Sequence, residues 1–122
     1  MTASILAVDD SPSLRMAVRA ALTGAGYDVI EACDGVDALG KAASARFDMV
    51  ITDLNMPNMD GLTLIRELRR TPSQMGVPIV FLTTESDDAL KQEAKAAGAT
   101  GWLVKPFNAE QLVRIARKVI GQ

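Results

Sequence analysis

Apolar residues along the chain gather into short, near-continuous runs rather than a strict alternation. Four such runs stand out, at 5–8, 49–52, 79–82 and 102–104, and unbroken apolar runs of this length suit β-strands covered on both faces. A fifth stretch, 27–32, sets the charged residues Asp28 and Glu31 among apolar neighbours. That mixture fits a strand at the edge of a sheet. Between the runs the apolar positions change to helical spacing: Leu14, Ala17, Ala21; Val36, Leu39, Ala43; Leu62, Ile65, Leu68; Leu90, Ala94, Ala97; and Leu112, Ile115, Ala116, Val119. The predicted order is a βα unit repeated five times.

Punctuation agrees with this reading. Ser11 before Pro12, Asp34, Asp60, Ser86 and Asn108 stand where helix N-caps are needed, and Gly24, Gly26 and Gly98 fall near helix ends. Connections are short and no low-complexity linker interrupts them, so residues 1–122 are expected to form one α/β domain. Strict alternation calls for a parallel sheet with helices on both faces. With 27–32 at an edge and the most apolar strands central, the doubly wound order 2-1-3-4-5 is the better of the two common choices.

In such a fold every strand points the same way, so the residues just after the strands line one edge, where open α/β sheets bind ligands. Asp9 and Asp10 follow the first strand, Asp53 the third, Thr83 closes the fourth, and Lys105 follows the fifth. Each has an ordinary explanation alone: a helix cap, a loop aspartate, a β-branched strand end, a solvated cation. Their convergence on one edge is what points to a site. Two like charges about 4 Å apart repel by roughly 4 kcal/mol at a surface-like dielectric, so the acids require positive charge nearby. Lys105 supplies one. A hard, oxygen-only cluster with few ligands suits Mg²⁺, whereas a Ca²⁺ cage needs more carboxylates and zinc wants His or paired Cys.

Composition narrows the classes further. The 122 residues contain no histidine, which excludes His-based acid–base catalysis, His metal ligation and the histidine-bearing role in phosphotransfer. A formal net charge of −2 without a Lys/Arg run argues against a nucleic-acid groove or membrane-surface binding. The lone Cys33 cannot form an internal disulfide, and following a strand it is expected to be a small buried thiol. No export signal is visible, so the expected location is the cytoplasm.

Four fragments carry a family resemblance: Val-Asp-Asp-Ser at 8–11, Asp-Leu-Asn-Met-Pro-Asn-Met-Asp-Gly at 53–61, Leu-Thr-Thr at 82–84 and Gly-Trp-Leu-Val-Lys-Pro-Phe at 101–107. Present in order across the whole chain, they resemble the receiver domains of bacterial response regulators, most of all the stand-alone chemotaxis members. Those chemotaxis receivers are themselves a standard example of the flavodoxin-like 2-1-3-4-5 order. The resemblance implies that Asp53 is the phosphoacceptor, that Asp10, Asp53 and the Asn55 carbonyl hold Mg²⁺ with Asp9 assisting through water, and that Lys105 bonds the phosphoryl oxygens. It further implies that Thr83 and Trp102 switch together, changing the surface of helix 4, strand 5 and helix 5, and that the Lys105-Pro106 peptide is cis. The donor would be a histidine kinase, and the receiving partner an output protein such as a flagellar motor switch; a monomer is expected.

Thr84 replaces a smaller residue common in the family and Trp102 a Tyr or Phe, while Asn55 and Glu85 flank the phosphoryl position and are expected to tune its decay. Arg114, Arg117 and Lys118 share one face of the last helix, which either receives an acidic partner or is simply solvated. Met56 and Met59 are expected to fill gaps. Three other functions compete. A phosphorelay intermediary would use the same site. A haloacid-dehalogenase-type phosphatase needs an acid two residues after the nucleophile, where this chain has Asn55, and a flavin-binding relative would meet repulsion from Asp9 and Asp10.

Overall fold

The computed structural model describes residues 2–84 and 88–121. Five strands, β1 (Ser4–Val8), β2 (Asp28–Ala32), β3 (Met49–Asp53), β4 (Ile79–Thr83) and β5 (Gly101–Val104), alternate with helices α1 (Pro12–Gly24), α2 (Gly35–Ser44), α3 (Gly61–Arg69), α4 (Asp88–Ala97) and α5 (Ala109–Ile120). All pairings are parallel and the sheet order is β2-β1-β3-β4-β5, as the pattern predicts. A single 3-10 turn, Pro72–Gln74, lies between α3 and β4 and has no counterpart in the hydrophobic pattern.

Side chains of successive strand residues face opposite ways, and the sheet therefore feeds two cores. Leu6, Val8, Val50, Ile79 and Phe81 meet Ala38, Ala42, Leu64, Ile65, Leu68 and Ala94 from α2, α3 and α4. Ile5, Ala7, Met49, Ile51, Val80 and Leu82 meet Val18, Leu22, Leu112 and Ala116 from α1 and α5. β3 and β4 are buried along their whole length because both faces are covered.

Four expected caps close their helices: the side chains of Ser11, Asp34, Asp60 and Asn108 accept from the backbone N–H groups of Leu14, Asp37, Thr63 and Gln111, and Asn108 and Gln111 form a reciprocal capping box. Ser86, expected to cap α4, lies outside the described residues. Among the described residues no helix is long and apolar enough to cross a membrane.

Three expectations need correction. The buried stripes of α1 and α2 are displaced by one residue: Val18 and Leu22 replace Ala17 and Ala21, and Gly35, Ala38 and Ala42 replace Val36 and Ala43. Small residues let α2 approach the sheet closely, which turns Val36 outward to 56% exposure. β5 is not covered on both faces. As the second edge strand it alternates, with Trp102 and Val104 exposed while Gly101 and Leu103 turn inward. Cys33 is exposed, because it falls in the turn after β2 where its N–H donates to Asp37 Oδ2 at 3.1 Å.

Candidate functional site

Register sets the site. Val8 pairs with Thr52, so the next residues, Asp9 and Asp53, leave the sheet abreast at the switch point between β1 and β3. On the other side Thr83 pairs with Val104, and the Lys105 N–H donates to Thr83 O at 2.7 Å, which ties the lysine to the end of β4. The chain thus brings Asp9, Asp10, Asp53, Thr83 and Lys105 to one edge. Carboxylate oxygens of Asp9, Asp10 and Asp53 lie within 4.8 Å of one another, with Asp10 exposed above the two buried acids. Lys105 Nζ sits 3.0 Å from Asp53 Oδ2 and 3.9 Å from Asp9 Oδ2.

The two oxygens of Asp53 are differently engaged. Oδ1 accepts the Leu54 N–H at 2.8 Å, and Oδ2 faces the lysine. Gly61 backs this residue: its N–H donates to Leu54 O at 2.9 Å, and a Cβ there would stand 2.3 Å from Asp53 O and 2.7 Å from Leu54 Cα. The loop 54–60 can fold over the strand end only with glycine at its close, helped by the left-handed Asn58 (φ 69°), whose side chain donates to Asp34 Oδ2. Met56 and Met59 lie partly buried against the core, in keeping with gap-filling.

Asp9 is buried and carries the electrostatic strain of the cluster. Burial raises its carboxyl above the usual range; the Ser11 N–H, donated to Oδ1 at 2.8 Å, opposes this, the charge of Asp53 adds to it, and Lys105 and Asp10 contribute smaller opposing and reinforcing effects. Its Oδ2 is buried without a hydrogen-bond partner among the described residues. A buried, unsatisfied carboxylate oxygen beside two further carboxylates is the donor set of a small hard cation, and oxygen-only chemistry fits Mg²⁺.

Asn55 is exposed in the loop after Asp53, and Thr84 is exposed beyond β4. Thr83 is buried at the strand end. Trp102 stands over Phe81, with ring centroids 6.2 Å apart, and under Lys91 Nζ at 4.7 Å. The Lys105-Pro106 peptide is cis. Glu85 lies outside the described residues.

Sequence reasoning passed over Arg15. One turn into α1, it donates from Nη1 to Asp9 O at 2.6 Å. An arginine following the acidic pair by one helical turn was the available signal.

A doubly wound parallel sheet with acids and a lysine gathered at its switch-point edge places them where open α/β sheets bind ligands. The family model described as "Response regulator receiver domain" matches residues 5–117, and the chain belongs to that family. It is 39% identical to the chemotaxis protein CheY1 of Helicobacter pylori over 96% of both chains. Its structure matches chemotaxis protein CheY4 of Vibrio cholerae with a TM-score of 0.94 and 50% identity, covering 98% of this chain and 99% of the other. The receiver domain of a Pseudomonas aeruginosa sensor histidine kinase, solved with a magnesium ion coordinated in its active-site cleft, matches at a TM-score of 0.91 and 32% identity over the whole of both chains. The sensor protein EvgS of Escherichia coli is 41% identical over 89% of this chain, which spans only 9% of that protein.

Proposed function

We propose that Asp53 accepts a phosphoryl group from a phosphohistidine on a sensor kinase, and that the chain transmits this state through α4, β5 and α5 to an output protein, in the manner of a chemotaxis regulator acting on a flagellar motor switch in the cytoplasm. The observation carrying this reading is the Asp53 carboxylate held by Lys105 at 3.0 Å beside two further acids at the strand edge.

Asp10, Asp53 and the Asn55 carbonyl would hold Mg²⁺, with Asp9 reaching it through water. Bound there, the ion supplies positive charge against the oxygens of the transferring group. Asp53 attacks phosphorus as the phosphorus–nitrogen bond of the donor breaks. Lys105 clamps a phosphoryl oxygen, and the hydroxyl of Thr83 closes on another. An apolar recess of about 390 Å³, lined by Leu14, Ala17, Thr84, Pro106, Phe107 and the same Lys105 that meets Asp53, would give donor side chains a seat. Thr84 in the lining of that recess and Asn55, two residues after Asp53, would set how readily water reaches the acyl phosphate, so the protein assists its own dephosphorylation.

Two or three charge-assisted bonds of roughly 1.5–3 kcal/mol each supply the roughly 5.5 kcal/mol that inverts a 1:99 population. Trp102 reads out the change, since Lys91 and Phe81 bracket its ring. With Mg²⁺ and acetyl phosphate or beryllofluoride, Trp102 fluorescence is expected to change in the wild type and to stay constant in Asp53→Asn. A folded wild type that shows neither the signal nor a phosphoryl adduct on Asp53 by mass spectrometry defeats the proposal. Similarity to a sensor protein and to the receiver domain of a sensor histidine kinase supports a second reading, a phosphorelay intermediary. Rapid passage of the label from Asp53 to a histidine phosphotransfer domain would favour it.

A further inference from the structure

Every polar atom of Asp9 except one is committed. Its N–H donates to Ala32 O at 3.1 Å, its Oδ1 accepts from Ser11, and its carbonyl accepts from Arg15 Nη1; among the described residues Oδ2 accepts no hydrogen bond and has only the longer ion-pair contact with Lys105 Nζ at 3.9 Å. Arg15 is in turn held from outside the site. Its Nε lies 3.3 Å from Glu31 Oε1, and Arg19 Nη1 grips the other Glu31 oxygen at 2.9 Å. Lys41 Nζ donates to the Glu31 carbonyl at 2.5 Å and to Asp37 Oδ2 at 3.1 Å, so the edge strand β2 is braced from both neighbouring helices.

The carbonyl that Arg15 holds belongs to the Asp9–Asp10 peptide, which is planar. Fixing that oxygen therefore fixes the plane from which Asp10 leaves the strand. Arg15 itself cannot wander, because its N–H donates to Ser11 O in the first turn of α1 and its side chain is only 17% exposed.

Resting on the reading that Asp10 and Asp53 bind a divalent ion, we propose that Arg15 is a positioning residue for that ion, with Glu31 as the residue that aims it. Holding the Asp9 carbonyl pre-sets Asp10 and lets Asp9 Oδ2 remain turned toward the site. Arg15 touches neither ion nor phosphoryl group and acts entirely through the backbone.

Isothermal titration with Mg²⁺ alone, on the full chain at neutral pH, tests this. Arg15→Ala is expected to weaken Mg²⁺ binding about tenfold, the scale on which residues that orient metal ligands act. Glu31→Gln should weaken it less, and the double variant should be no worse than Arg15→Ala. Arg19→Ala breaks an ion pair to the same glutamate without touching Asp9 and should leave the affinity within about twofold of wild type. Thermal melts run in parallel separate affinity from stability: a lower melting temperature with unchanged Mg²⁺ affinity in Arg15→Ala overturns the proposal. If Arg15→Ala does not fold, Glu31→Gln decides, and wild-type affinity there overturns it. A wild type whose Mg²⁺ binding is absent or unaffected by Asp10→Asn removes the metal reading as well, an outcome distinct from a binding wild type with indifferent Arg15 and Glu31 variants.

Discussion

Asp9 shows at the scale of one residue what the site costs the fold. In the unfolded chain its carboxyl titrates near the ordinary 3.8, and in the folded chain burial raises it. The folded state therefore binds the proton more tightly. Its stabilising share is complete below 3.8 and is lost as pH rises through the raised value, so at neutral pH the ionised Asp9 destabilises the metal-free protein. Asp9→Asn keeps an oxygen for the Ser11 N–H while removing the charge. In chelator at pH 7 it should be more stable than wild type by on the order of 1 kcal/mol, and the gain should shrink as pH falls toward 3.8. Urea melts at pH 7 and pH 4.5 check this, and an equal or lower stability at pH 7 would contradict it. The acids were legible in the sequence because chemistry-bearing residues after strands announce themselves. Arg15 was not, since an arginine on a helix reads as solvated until its carbonyl partner is seen.

Elements were legible where their signals were local. The four observed caps required only a side chain and an N–H three residues away, and they stand where the sequence places them. Stripes were harder, because Ala and Gly count as weakly apolar yet are what α2 buries to come close to the sheet. The 3-10 turn shows a different kind of blindness. Its Gln74 is fully buried: Nε2 donates to Ala42 O at 2.9 Å and to Ala45 O, while Oε1 accepts the Phe47 N–H at 3.3 Å. One amide closes the end of α2 from 27 to 32 residues away, and no local pattern marks such a partner. Gln74→Ala leaves the Phe47 N–H and Ala45 O without this partner, while Ala42 O keeps the Ser73 hydroxyl at 2.6 Å, and should cost roughly 1–3 kcal/mol in chemical denaturation. The turn precedes β4 and so lies at the sheet edge opposite the site, and Mg²⁺ affinity should not change. A loss below about 0.5 kcal/mol would show the amide replaceable by water.

For the molecule as a whole, the acidic edge makes stability depend on what neutralises it. A ligand that binds only the folded chain at 100 times its dissociation constant adds about 2.7 kcal/mol. Saturating Mg²⁺ should therefore raise the melting temperature on the order of 10 °C, a chelator should reverse the rise, and Asp10→Asn should abolish it. Calorimetric scans with and without the ion read this directly; an unchanged wild-type melting temperature would argue against a divalent site. Under the proposed function the outward route from the site would run along β4 and β5, since Thr83 and Val104 are paired and Lys105 is tied to Thr83 O. A displacement of Thr83 or Lys105 on phosphorylation would then reach the strand that carries Trp102.

Sequence alone determined the βα alternation, the strand order and the residues that end each strand, because period, punctuation and the rule of parallel crossovers act over short stretches of chain. Tertiary structure decided the rest: that β5 is half open, that Cys33 faces outward, that Gly61 must lack a side chain beneath Asp53, and that Arg15 and Glu31 brace the acidic loop. Those features depend on the distance between groups remote in the chain, and such distances are set only when the two cores pack.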